Sequence, residues 1–144
     1  MLRYYQPDRI AGEIAADPPG WLGYVVSEGT DGRVMTAGGG GMTADHVGEV
    51  FVLYADPHGR GRGHGSRVLE FVSAQHVALG ATEQWVSVAK GNELGIPFYF
   101  ARGFIVMDEV ESWDGTGAEE GLPSLRMRRP LPWLVGRPAP TAAR

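Results

Sequence analysis

Val50-Phe51-Val52-Leu53-Tyr54-Ala55, then Asp56-Pro57-His58-Gly59, then Arg60-Gly61-Arg62-Gly63-His64-Gly65-Ser66 is the stretch that decides the fold. Six apolar residues without a polar break suit a strand buried on both faces at the centre of a sheet. Residues 56–59 end it. Beyond the glycines, Val68, Leu69, Val72, His76 and Leu79 recur at three- and four-residue steps, a helix with one buried face closed by Gly80. A glycine- and arginine-rich loop therefore joins a buried strand directly to a helix start. Such a start offers unpaired backbone N–H groups and partial positive charge. Glycines let the chain turn and approach an anion, and Arg60 and Arg62 add charge. Together these make a cradle for a pyrophosphate.

The rest of the chain reads outward from that junction. Residues 7–17, with Ile10 and Ile14 one turn apart, predict a short amphipathic helix stopped by Pro18-Pro19-Gly20. Residues 21–27 and 33–37 predict a hairpin around the turn at 28–32, and Gly38-Gly39-Gly40-Gly41 predicts a break, flexible or closely approached by another backbone. Residues 84–89 read as a strand and 92–102 as a helix ended by Gly103. Residues 104–110 are a strand, 112–121 a polar loop and 124–129 an alternating final strand. A strand–helix–strand unit between residues 49 and 89 requires a parallel pair with a crossover, and the short loops elsewhere require antiparallel neighbours. The expected architecture is α/β: a mixed, mostly antiparallel sheet with flanking helices in one domain over residues 1–131. Residues 132–144 form a loosely packed or disordered tail rich in Pro, Ala and Arg.

Composition narrows the function. At 144 residues the chain suits one domain, and its 43% hydrophobic content supplies a core. The formal net charge of −4 argues against general nucleic-acid affinity. No cysteine is present, which removes disulfides, thiolate metal sites and a cysteine nucleophile. His46, His58, His64 and His76 show no ligand spacing on one face, so no metal is expected. Without a signal-peptide-like start or a membrane-length apolar run, the expectation is a cytoplasmic protein that does not span a membrane.

The glycines at 61, 63 and 65 do not fit the dinucleotide spacing, and the Walker lysine is missing. A short Arg-Gly stretch flanked by strand and helix is unlike the long disordered segments that bind RNA. A tight loop without ligand accounts for the glycines but for neither arginine.

Arg60-Gly61-Arg62-Gly63-His64-Gly65 resembles the acyl-CoA signature of the GNAT acyltransferases: Arg or Gln, two residues, Gly, one residue, then Gly or Ala. Residues 53–57 resemble that family's fourth strand and its exit. Asn92-Glu93-Leu94-Gly95-Ile96-Pro97-Phe98-Tyr99 with Gly103-Phe104 resembles its Asn, aromatic-Tyr and Gly-Phe pattern, and residues 125–131 its last strand. The resemblance covers roughly residues 8–131 and departs in three places. Gly95 replaces the usual Ala, Pro97 falls inside the presumed helix, and one helix stands before the Trp21 strand where the family has a strand and two helices. The last point implies a shortened N-terminus or a site completed by a partner subunit, and a possible homodimer.

The resemblance implies acetyl-CoA as cosubstrate and a small-molecule or peptide amine as acceptor. It implies that Leu53, Tyr54 and Ala55 hold the pantetheine arm by backbone contacts. Arg60, Gly61, Arg62, Gly63, His64, Gly65 and Ser66 would then cradle the pyrophosphate, and Asn92 would contact the pantetheine or order the nearby chain. An ammonium with a pKa near ~10.4 must lose its proton before attacking a thioester. Glu49, or a water it orders, is the candidate base; its other reading is a solvated carboxylate at a strand end. Asp45, Asp56 and Glu93 are further candidates. Tyr99 is the candidate acid for the departing thiolate and would touch the cofactor; its other reading is core packing. Trp113 and Trp133 either line an acceptor pocket or pack beneath a loop and the tail. A GNAT-like module that holds acyl-CoA without turnover is the alternative to an enzyme.

Overall fold

A computed structural model describes residues 2–3, 16–56, 63–111 and 123–133. Its elements are β1 (Leu2–Arg3), β2 (Val25–Glu28), β3 (Val34–Ala44), β4 (Val47–Ala55), α1 (His64–Ala78), β5 (Glu83–Ala89), α2 (Gly95–Ala101), β6 (Ile105–Val110) and β7 (Ser124–Pro130). The strands form one sheet in the order β1-β2-β3-β4-β5-β7-β6. β4 and β5 are parallel, joined through α1, and every other neighbouring pair is antiparallel. This is the mixed, mostly antiparallel sheet expected from the strand–helix–strand unit. Val50, Val86 and Met127 from the sheet meet Val68, Leu69 and Val72 of α1, Tyr99 of α2 and Phe104 in one core. Both helices therefore cover the same face.

Several expectations change in detail. Most of the helix expected over residues 7–17 lies outside the described residues; Asp17 bridges Trp21 by two backbone hydrogen bonds of 2.7 and 3.0 Å. Regular strand begins at Val25 rather than Trp21, after Gly23 at φ 89°. β4 is central, but it is not buried on both faces: Phe51 is 48% and Tyr54 61% exposed. α2 begins at Gly95, so Pro97 lies in its first turn, where a missing N–H costs no intrahelical bond. The polar loop over 112–121 and the tail beyond Trp133 lie outside the described residues.

The four glycines do not break regular structure; β3 runs through them. A Cβ on Gly39 would stand 2.7 Å from both the Gly23 carbonyl oxygen and the Trp21 ring, and one on Gly41 would overlap the Gly20 carbonyl oxygen. The segment around residues 19–23 crosses so close to the strand that only hydrogen fits. It is tied there by Leu22 N–H to Gly40 O at 2.9 Å and Met42 N–H to Pro19 O at 2.7 Å.

A buried polar network lies under α1. Arg129 donates from Nε to Gln84 Oε1, from Nη2 to Ser73 Oγ and from Nη1 to the Arg102 carbonyl, each at 2.9 Å. Gln84 Nε2 donates to Ser73 Oγ at 2.9 Å and to His76 Nδ1 at 3.0 Å. An amide nitrogen only donates, so Nδ1 accepts and the His76 ring is neutral with its proton on Nε2. Burial, reinforced by the Arg129 charge, lowers the His76 pKa from 6.5 to about 4. The unfolded chain therefore takes up a proton that the native state refuses. Stability should fall as pH drops from about 6.5 to about 4, by about 3 kcal/mol from this group, and level off below. Denaturant titrations at pH 7 and 4.5 check this: His76→Leu should show a shallower acid loss than the parent, and equal slopes would reject it.

Candidate active site

The candidate site lies where β4 leaves β5. The two strands pair from Val47↔Glu83 to Val50↔Val86 and no further, although β4 continues to Ala55 and β5 to Ala89. The cause is local to β4. Against β3, Gly40 pairs with Val50 and Gly39 with Val52, so Phe51 is an extra, bulged residue. A bulge bends its strand and ends pairing. It also resets the alternation, so that Leu53 packs against the helical core while Tyr54 is exposed. Beyond Val50 no strand among the described residues pairs with the β4 edge that faced β5, which leaves room there for an extended ligand. Leu53, Tyr54 and Ala55 lie on this stretch.

The loop that follows β4 ends in α1. Gly63 caps the helix at φ 81°, a conformation that glycine adopts without strain, and among the described residues no side-chain hydrogen bond caps this end. Gly65 sits 3.3–3.4 Å, at its would-be Cβ, from the Phe98 ring, so α2 packs closely on the start of α1. Arg60, Gly61 and Arg62 lie outside the described residues. The His64 side chain turns inward: its Nδ1 accepts from Arg67 Nη2 at 2.8 Å and lies 2.7 Å from the Ser27 hydroxyl. An anion at this helix start would therefore meet backbone N–H groups rather than the imidazole. The Ser66 hydroxyl accepts from both Nε and Nη2 of Arg102, whose guanidinium stacks 3.8 Å over the Phe98 ring.

Asn92 is exposed at the turn into α2. Its Oδ1 accepts the Gly95 N–H at 2.8 Å and its carbonyl accepts the Ile96 N–H, which fixes the turn into α2. A Cβ on residue 95 would stand 2.5 Å from the Asn92 amide nitrogen, which explains glycine there. Tyr99 is buried, edge-on to Phe98 and Phe104 with ring centroids 5.2 Å apart in each pair. Burial pushes its phenol above the ordinary range, against the opposing pull of Arg129 and Arg102.

Glu49 belongs to the opposite face. Its carboxylate is gripped by Arg126, Nη1 to Oε2 at 2.7 Å and Nη2 to Oε1 at 3.1 Å. Arg126 also donates to Ser87 Oγ at 2.8 Å and lies 5.0 Å over the Trp85 ring. Glu49 and Tyr99 thus stand on opposite faces of the sheet beside the opening between β4 and β5. Asp45, Asp56 and Glu93 lie apart from this arrangement: Asp45 in the β3–β4 turn, Asp56 beyond β4 in an ion pair with Arg33, and Glu93 before α2. Trp133 packs over Gly103, and Trp113 and His58 lie outside the described residues. Sequence reading missed Arg102 and Arg126. The signal for Arg126 was the alternation in β7, which puts Arg126 and Arg128 on one face, as their bonds to Glu49 of β4, across β5, and to Glu83 of β5 show.

The fold is shared with solved acetyltransferases. Nourseothricin acetyltransferase matches with a TM-score of 0.73 and 24% identity over 83% of this chain and 71% of its own. Ard1 from Thermoplasma volcanium matches at 0.72 and 16%, over 90% and 96%. An IAA acetyltransferase from Bacillus cereus matches at 0.71 and 16%, over 91% and 99%. At these identities the likeness is one of fold. No curated protein matches the sequence. Among the described residues no helix is long and apolar enough to cross a membrane. What separates an enzyme from a bare sheet with a glycine-rich junction is the family model, Acetyltransferase (GNAT) family, which matches residues 2–104. The chain belongs to the GNAT family and is an acyltransferase that uses an acyl-CoA cosubstrate and an amine acceptor.

Proposed function

We propose that the protein transfers an acetyl group from acetyl-CoA to the amine of a small molecule or peptide by direct attack. The observation that carries this reading is the β4 edge beyond Val50, which no described strand pairs, together with the start of α1, which has no side-chain cap among the described residues. Backbone groups of Leu53 and Ala55 hold the pantetheine arm, and the N–H groups of residues 63–66 hold the pyrophosphate, with Arg60 and Arg62 adding charge. Acetyl-CoA supplies the thioester. Glu49, directly or through a water, takes the proton that the amine must lose. Tyr99, on the other face, protonates or hydrogen-bonds the departing sulfur. Separating base from acid lets the amine enter on one side of the opening while the thiol leaves on the other. A small-molecule acceptor has a precedent in the nourseothricin acetyltransferase that shares the fold.

Thermal unfolding with acetyl-CoA or free CoA tests the cofactor site. At one hundred times its Kd, either should add about 2.7 kcal/mol to native stability. Glu49→Gln should keep that shift and lose about 10²-fold in kcat once an amine substrate is supplied. A folded protein whose midpoint neither ligand moves would overturn the assignment of the site.

A further inference from the structure

The Glu49–Arg126 pair is more than a tie between strands. Arg126 reaches from β7 across β5 to β4, and its fork is fixed by the carboxylate on one side, Ser87 on another and the Trp85 ring beneath. Those contacts use both Nη1 hydrogens and one on Nη2. The Nε–H and the second Nη2 hydrogen have no partner among the described residues, although 25% of the side chain is exposed. Glu49 is 14% exposed beside it. Glu83 holds Arg128 nearby on the same face at 2.6 Å, so the surface at this point carries paired charges rather than an acidic patch. A fixed cation with two open donors therefore adjoins the candidate base.

We infer that Arg126 binds the acceptor, and that the acceptor is an amino carboxylate such as an α-amino acid. This rests on the acetyltransferase reading with Glu49 as base. The anion and cation of the protein lie side by side, complementary to a zwitterion whose ammonium meets Glu49 and whose carboxylate meets the open edge of Arg126. A guanidinium fork matches a carboxylate in two parallel hydrogen bonds. A polyamine would bring further cations against Arg126 and Arg128, and like charges in contact discriminate against a partner. A neutral monoamine would leave the fork unengaged. With its carboxylate on the open edge of Arg126, the acceptor holds its ammonium beside Glu49, which takes the proton while keeping its own edge of the fork. The amine nitrogen then bonds to the acyl carbon, the C–S bond breaks, and the sulfur takes its proton from Tyr99. The second proton that the nitrogen sheds as the amide forms returns through solvent to the Tyr99 phenolate, and Glu49 releases its proton to solvent.

The test is CoA release from acetyl-CoA with each of the common amino acids against its own carboxamide, and with polyamines and simple amines, for the parent, Arg126→Gln and Arg126→Lys. The parent should use its best amino acid at least about tenfold better in kcat/KM than the matching carboxamide. The carboxamide amine is the less basic of the two, which biases against that outcome. Arg126→Gln should bring the acid-to-amide ratio to near one, and Arg126→Lys should restore part of it. Parent activity with acid and amide alike, or a ratio unchanged in a folded Arg126→Gln, overturns the inference and leaves the acetyltransferase reading standing. Release with no amine of any class overturns both.

Discussion

Tyr99→Phe should fold as the parent does and transfer acetyl groups about 10²- to 10³-fold more slowly. The two halves of that expectation come from different parts of the residue. The ring sits in the core, edge-on to Phe98 and Phe104 at 5.2 Å, and phenylalanine keeps both contacts. No hydrogen bond joins the hydroxyl to the described residues, so its removal strands no partner. The oxygen is therefore dispensable to the fold. Its use is chemical. Burial holds the phenol above its ordinary range, so it stays protonated wherever the enzyme works and adds no basic limb to the pH–rate profile below about pH 10. A phenol so held is a weak acid toward a thiolate, whose conjugate thiol titrates near ~8.5. It can donate a hydrogen bond to the developing charge before it gives up the proton. Arg129 and Arg102 pull the phenol back toward serviceable acidity. Matching melting midpoints, an unchanged KM for acetyl-CoA and a deep loss of kcat would support the role. A loss under threefold would return Tyr99 to the core as packing alone.

Periodicity made α1 and the strand–helix–strand unit legible, because one buried helix face and one parallel crossover leave few alternatives. What escaped was set by tertiary contacts. Four consecutive glycines carry no strand propensity and read as a break. Their reason is the backbone of residues 19–23 and β4 crossing within a side chain's width. The apolar run from Val50 to Ala55 has no period, so nothing in it marked the bulge at Phe51 that turns Tyr54 outward or the departure of β5 beyond Val50. Asn92 was picked out by its spacing to Tyr99, as a residue that contacts the pantetheine or orders the nearby chain; its hydrogen bond to Gly95 belongs to the second of these roles. Gly63 was legible from its place at the start of α1. Arg126 was missed because a charged residue in an alternating strand reads as solvated, and its partner lies 77 residues away.

Gly40→Ala should damage fold and site together. Gly40 pairs with Val50 immediately beside the bulge. A Cβ there would overlap the Glu49 carbonyl oxygen and lie 3.1 Å from the Val50 Cα. These are backbone atoms of the strand that carries the candidate base, so no rotamer change relieves the contact and β4 itself must retreat. Overpacking of this kind costs about 3 kcal/mol, a fall of about 10 °C in Tm for a chain of this size. Gly32→Ala is the matched control. Its φ of 83° makes alanine strained, yet nothing lies within 4 Å of the added carbon, so the loss should stay near ~1 kcal/mol. A retreat of β4 at Val50 also moves the point where it parts from β5. Gly40→Ala should therefore weaken stabilisation by acetyl-CoA even at temperatures where it remains folded, whereas Gly32→Ala should leave that stabilisation intact. Equal small losses in the two variants would mean that β4 yields without cost, and that the glycine run is not what sets the opening between the strands.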